Sequence, residues 1–450
     1  MDLLNLTREL CTYPTGIVSH GNKAFFERVS QEIPIHLHRY ASGSTHNGWE
    51  VPKQWQVEKA TIHRDGELIY DGTQHPLGVA HYSRSFQGQV KLADLHQHVF
   101  SNPTLPDAYM WHCAWLYRPW ESNWGFSMPH RVALDLRPGT YEVDLVTNFR
   151  DGEMLLAEHE HKGRSSRTIV FHSNSCHPHM ANDGFAGTAV MIRLFQWLAN
   201  QETHYTYRLV IGPEHVGTIF YLRDHSKEEV QRLQCGIFAE MMGTPGPFKI
   251  ARSFNGDHAI DQIVCHVASH YADNPQVIPF AQGVVNDETV WESPGYEVPF
   301  VALNRAVDSN SPFPQYHSSL DTADLMQVEL LEEFYDIFTK VIYTLENNCS
   351  ISRHFNGLIA LSNPNHDLYI SHIDPAVQDD QRQPSTDRWS HLQDCIMRYF
   401  DGKMSVLDIA EKHNLPFKDV LDYLKKYEEK GLVTLHHLPI DRKPPKLVCT

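Results

Sequence analysis

The chain has 450 residues, 41% of them hydrophobic, with 55 acidic against 38 basic side chains and a formal net charge of −17. That length fits two to four globular domains, and so acidic a balance argues against nucleic acid or an anionic membrane as the main partner. Eight cysteines lie far apart without a C-x-x-C pair, which excludes a disulfide framework or structural zinc module and fits reduced, cytoplasmic thiols.

The first ten residues, MDLLNLTREL, are acidic and amphipathic and lack the basic region and apolar core of a signal peptide. No apolar run is long enough to span a bilayer. Residues 2–32 read as one or two helices broken near Tyr13-Pro14-Thr15-Gly16, with Leu3, Leu6 and Leu10 on one face. From about Ser42 the pattern changes to strand-like alternation with turn signals at Arg64-Asp65-Gly66 and Asp71-Gly72. Six of the tryptophans fall here and in the next fifty residues, so 46–130 is expected to be a separate β-rich unit.

A βα rhythm is expected from Thr140, starting with a strand over 141–146. Next comes TIVFHSNSCHPHMANDGFAG (168–187), in which an apolar β-branched run, a loop and a helical pattern follow one another. Further strands are expected at 205–211, 236–240, 262–268 and 298–303, with helices at 218–224, 227–233 and 324–347. Strands alternating with helices indicate a largely parallel sheet covered on both faces. The polar, proline-containing stretch 372–388 suits a linker. Beyond it the pattern helix (405–414), Leu-Pro turn, helix (417–431) and short strand resembles a winged helix. Residues 387–450 hold 11 Lys plus Arg and 10 Asp plus Glu, a net of +1, too little basic excess for DNA. A packing role is expected instead.

Four loops lie at or just past strand ends. They carry His177 and Asp183, Glu214 and His215, Glu240, and Tyr316-His317-Ser-Ser-Leu-Asp321. Taken alone, Asp183 fits a helix N-cap as well as a metal ligand. Together the loops bring histidines and carboxylates to one sheet edge, where open α/β sheets bind ligands, which outlines a hydrolytic metal site.

On these residues the sequence resembles the zinc exopeptidases of the bacterial leucyl aminopeptidase and glutamate carboxypeptidase type. It more closely resembles a bacterial group of aminopeptidase-like proteins with an inserted β domain and a C-terminal winged helix. The matching motifs are CHPHMANDG (176–184), PEHVG (213–217), NDE (286–288) and YHSSLD (316–321), with WEVPKQW (49–55) and NWGF (123–126) in the inserted part. The resemblance implies a zinc-exopeptidase-like mixed sheet flanked by helices over 1–45 and 131–350. It also implies an inserted β domain over 46–130, a linker over 351–386 and a winged helix over 387–450.

It further implies one or two zinc ions held by His177, Asp183 and His317, with Glu240 and His215 as further candidate ligands, and Glu214 as general base. Asp287 and Glu288 would face the substrate, plausibly its α-ammonium group. Arg305 could meet a carboxylate, and Tyr316 would line the substrate site. The pair Glu214-His215 departs from the Glu-Glu of two-metal relatives, and Glu240 replaces the usual Asp.

The expected activity is a zinc aminopeptidase acting on a small peptide or modified amino acid, without nucleic acid or membrane partners, in a chain that could form a homo-oligomer. An arginine pocket would instead favour a carboxypeptidase or N-acyl amino acid amidohydrolase. A degenerate core would favour a sensor or regulator.

Overall fold

The computed structural model describes residues 2–113, 115–370 and 384–442. An eight-stranded mixed sheet runs through its centre. Its order is His36–Ala41, Glu153–His161, Thr206–Gly212, Thr168–Asn174, Leu233–Ala239, Phe300–Asn304, Lys249–Ala251, Gln276–Ile278. The four middle strands are parallel. Their side chains alternate between two cores, as the two-residue period of a strand requires. Ile169 and Phe171 point into one core and Val170 into the other.

The first core is covered by the helices Leu3–Leu10, Ala186–Leu198, Ala259–Tyr271 and Val328–Asn347. Val216–Arg223 and Glu288–Trp291 contribute to the second. At the closest helix–sheet approach only glycine fits, because a Cβ on Gly187 would stand 2.5 Å from the Ala239 carbonyl oxygen.

Two expectations from sequence are corrected here. Residues 262–268 are helical, not a strand. They belong to Ala259–Tyr271, whose buried Ile260, Ile263, Val264 and Val267 recur at helical spacing. The strand over 141–146 is real, but it lies within Thr140–Arg150, which sits outside the central sheet. It joins an antiparallel four-stranded sheet in the order Glu67–Asp71, Gln54–Arg64, Thr140–Arg150, Phe86–Lys91. Tyr141, Val143 and Leu145 are buried with Ala60 and Ile62 while their neighbours face outward, the signature of a half-buried antiparallel strand. This antiparallel sheet therefore reaches to residue 150, past the limit of 130 expected for the β-rich stretch.

The expected linker over 351–386 is shorter than that. Cys349–Arg353 is a strand paired antiparallel with both Asp401–Ser405 and Val433–His437, and a helix starts at Pro384. Residues 371–383 lie outside the described residues. The C-terminal helices Val406–His413 and Phe417–Glu429 share the first core with the central sheet. Gln262 there donates to Asp408 at 3.0 Å and Glu411 at 2.8 Å. No described helix is long and apolar enough to cross a membrane.

Candidate metal centre

The four parallel strands end on one edge of the sheet, and each releases a loop there. Thr168–Asn174 is first in the chain and has later strands on both sides, so a crevice opens beyond its carboxyl end. From that loop, His177 and Asp183 meet at 2.9 Å between Nε2 and Oδ2. His317 reaches the same Asp183 oxygen at 3.3 Å. Among the described residues these three form the one group with ligand atoms all within 4.8 Å of one another.

The surroundings fix each member. His177 Nδ1 lies 2.8 Å from the Pro178 carbonyl oxygen, and donation there leaves Nε2 free to ligate. The carboxylate of Asp321 accepts the backbone N–H groups of Asn182 (2.9 Å) and Asp183 (3.2 Å). Burial alone would raise the Asp183 carboxyl, but its hydrogen bonds to His177 and His317 hold it well below the usual carboxylate range. Two imidazoles and a buried carboxylate suit zinc in charge and donor type, with a fourth position left for substrate or water.

Glu214 follows the neighbouring strand Thr206–Gly212. Its Oε1 lies 3.3 Å from His215 Nε2, and the Cys176 thiol points at its Oε2 from 4.0 Å. Burial pushes its carboxyl up to about 7, with Asp287 and Asp183 adding to the rise and His215 and His177 opposing it. That is the range a general base needs near neutral pH.

Glu240 ends the next strand and is buried. It accepts from Asn286 Nδ2 at 3.1 Å, and burial with Asp183, Glu214 and Glu288 nearby pushes it well above its usual value. It stands outside the three-residue ligand group, as does His215.

Several site loops take left-handed backbone at residues other than glycine: His179 (φ 53°), His215 (φ 53°), Met241 (φ 50°) and His317 (φ 52°). Each such residue costs about 1–3 kcal/mol and tends to sit where function demands it. Asp287 steadies one of them, its Oδ1 accepting the His215 N–H at 3.1 Å.

Three residues expected at the substrate are buried and engaged within the protein. Asp287 and Glu288 are 0% and 1% exposed. Their carboxylates accept backbone N–H groups of His215 and Asn286 and so brace the site loops. Arg305 is 4% exposed and committed to Glu333 and to the Gly246 carbonyl oxygen at 2.7 Å. It lacks a free fork for a substrate carboxylate. Tyr316 remains at the site, its ring stacked on His317 with centroids 3.7 Å apart.

Residues 109–111, in the tryptophan-rich stretch, supply contacts that the sequence did not announce. Trp111 stacks on His177 (centroids 3.8 Å, interplanar angle 18°) and meets His317 edge-on at 4.6 Å. The backbone N–H of Trp111 donates to the His317 carbonyl oxygen at 2.7 Å. Next to it Met110 forms a β-bridge with Ser318, and Tyr109 exchanges two hydrogen bonds with Ser319. The only sequence signal was the density of tryptophans in this part of the chain.

A family model described as a domain of unknown function, DUF4910, matches residues 4–348. A protein of Clostridium acetobutylicum, with the working name polysaccharide biosynthesis protein with aminopeptidase-like domain, is 28% identical over 420 residues, 93% of each chain. A crystal structure from the same organism, provisionally termed a peptidase, aligns over 96% of both chains with 26% identity and a TM-score of 0.79. The zinc aminopeptidase BSAP of Bacillus subtilis aligns over 76% of this chain and 94% of its own, with 12% identity and a TM-score of 0.57, a likeness of fold alone.

Proposed function

The chain belongs to the DUF4910 family, and from that premise and its aminopeptidase-like fold we propose that it is a zinc-dependent hydrolase cleaving an amide or peptide bond next to a free amino group. The observation that carries this reading is the Asp183 carboxylate held between His177 and His317, with Glu214 just past the end of the adjacent strand.

His177, Asp183 and His317 would hold one zinc ion. A second ion has less support, since Glu240 is bonded to Asn286 and His215 is turned to Glu214. Bound there, zinc would acidify a water molecule and polarise the scissile carbonyl. Glu214 takes the proton from the attacking water and returns it to the leaving amine, and its raised carboxyl makes both transfers accessible near neutrality. The charged neighbours of Glu214 are Asp287, Asp183, His215 and His177, and those of Glu240 are Asp183, Glu214 and Glu288. Such a field favours a metal cation and an ammonium group. The engagement of Arg305 with Glu333 counts against a carboxypeptidase reading.

The working name of the C. acetobutylicum relative supports extending the proposal to an amide-bearing substrate from polysaccharide chemistry. The C-terminal unit, with its shared core, is proposed to pack within the chain rather than bind DNA.

Elemental analysis of the purified protein and hydrolysis of aminoacyl-anilides with and without a chelator test the reading. Expected results are bound zinc, chelator-sensitive hydrolysis, and loss of most of the metal from His317→Ala. Unchanged metal content in that variant would sink the ligand assignment.

A further inference from the structure

A cleft of about 420 Å³ opens between residues 14–20, the inserted unit and residues 176–178, with His177 and Trp111 in its wall. No described Asp, Glu, Lys or Arg lines it, in a chain where 21% of residues are charged. Burial, with His179 adding to it, lowers His75 in its lining to about 4, so that ring is neutral at ordinary pH.

One side of the cleft is a run of aromatic rings. Trp55 and Tyr82 stack at 6.1 Å and 17°. His81 lies 5.2 Å from Trp55 and 6.2 Å from Trp111. The run ends on His177, the expected metal ligand. Gln56, Thr73 and Ser19 add amide and hydroxyl groups to the lining.

This chemistry selects among occupants. A charged group would lose its hydration and find no counter-charge. A plain alkyl or phenyl group would strip water from the amide and hydroxyl groups of Gln56, Thr73 and Ser19 and offer no hydrogen bond in its place. A ring with an apolar C–H face and a hydroxyl edge suits both the aromatic wall and these polar groups, and the volume lies within the usual range for small-molecule sites.

We propose that this cleft is a glycosyl subsite, which takes an uncharged, hydroxyl-bearing sugar ring belonging to the same molecule as the scissile amide. The proposal rests on the metal-site reading above for the position of that amide. The substrate then has an amino end near the carboxylates and a sugar end against the inserted sheet.

The test is saturation-transfer NMR on the full-length, zinc-loaded protein with three probes: di-N-acetylchitobiose, phenylalaninamide and the charged dipeptide Asp-Lys. The saccharide is expected to bind and to resist displacement by the other two. Gln56→Ala and Thr73→Val should each weaken it by up to about tenfold, the scale of one hydrogen bond, with zinc content and aminoacyl-anilide hydrolysis unchanged. Both residues are exposed, so neither substitution empties a buried position. Absence of saccharide binding, displacement by phenylalaninamide, or undiminished binding in a folded variant overturns the subsite. If anilide hydrolysis persists in that case, the hydrolase reading stands. Saccharide binding by a protein without zinc or hydrolysis would overturn the hydrolase reading and leave the sugar site in place.

Discussion

The core loops and the inserted unit meet at the same centre but contribute different things. The core loops supply the groups proposed to hold a metal and move a proton: His177, Asp183, Glu214 and His317. The inserted unit supplies surfaces, with Trp111 flat on His177 and the stretch 109–111 zipped to 317–319. Charge is divided the same way. Carboxylates crowd the strand ends, whereas the cleft against the inserted sheet has no charged lining among the described residues. The difference teaches that titratable groups and the aromatic surface laid against them can come from stretches distant in the chain, joined here through residues 109–111 and 317–319.

The sharpest test of that division is Glu214→Gln. The substitution is nearly isosteric and removes the proton acceptor. Turnover should fall by about two to four orders of magnitude with zinc retained, as read by anilide hydrolysis and elemental analysis. Loss of zinc in proportion to activity would make Glu214 a ligand.

On the other side of the comparison, Trp111→Ala should leave all three ligands present but free the His177 ring. Zinc affinity is expected to fall by about 10–100-fold, the usual effect of losing an outer partner of a metal ligand, as measured by competition with a chromophoric chelator. Unchanged affinity would reduce the inserted unit to a wall with no role in framing the metal.

Protonation gives a smaller effect on the inserted side. His75 falls from 6.5 to about 4 in the folded chain. Between those values the unfolded chain binds more protons, so the stability this histidine contributes is present above pH 6.5 and is lost as pH falls toward 4. Urea unfolding of His75→Asn should therefore change less between pH 7 and about pH 5 than that of the parent chain. Equal pH dependence would place the acid sensitivity elsewhere.

The smallest expected effect belongs to the zipper itself. Ser319 Oγ accepts the Tyr109 N–H at 3.1 Å, and Ser319→Ala should cost about 1 kcal/mol in denaturant unfolding. A loss well beyond that would mean the two units depend on each other for folding.

The sequence by itself determined the local units. An apolar β-branched run, a loop and a helical pattern identify the strand Thr168–Asn174 and the helix Ala186–Leu198. The ligand types are visible because His177 and Asp183 lie six residues apart on one loop. Local signals also marked the long helix and the last strand of the parallel set, since hydrophobic period is written within ten or twenty residues.

Only the tertiary structure decided which sheet receives Thr140–Arg150, because a half-buried strand reads the same wherever it pairs. It alone commits Arg305 to Glu333 and turns Asp287 and Glu288 inward onto backbone N–H groups. It also lays Trp111 on a histidine 66 positions later in the chain. These outcomes depend on partners far away in sequence. Burial reverses what a charged side chain does, from contacting a ligand to satisfying the backbone of its own loop.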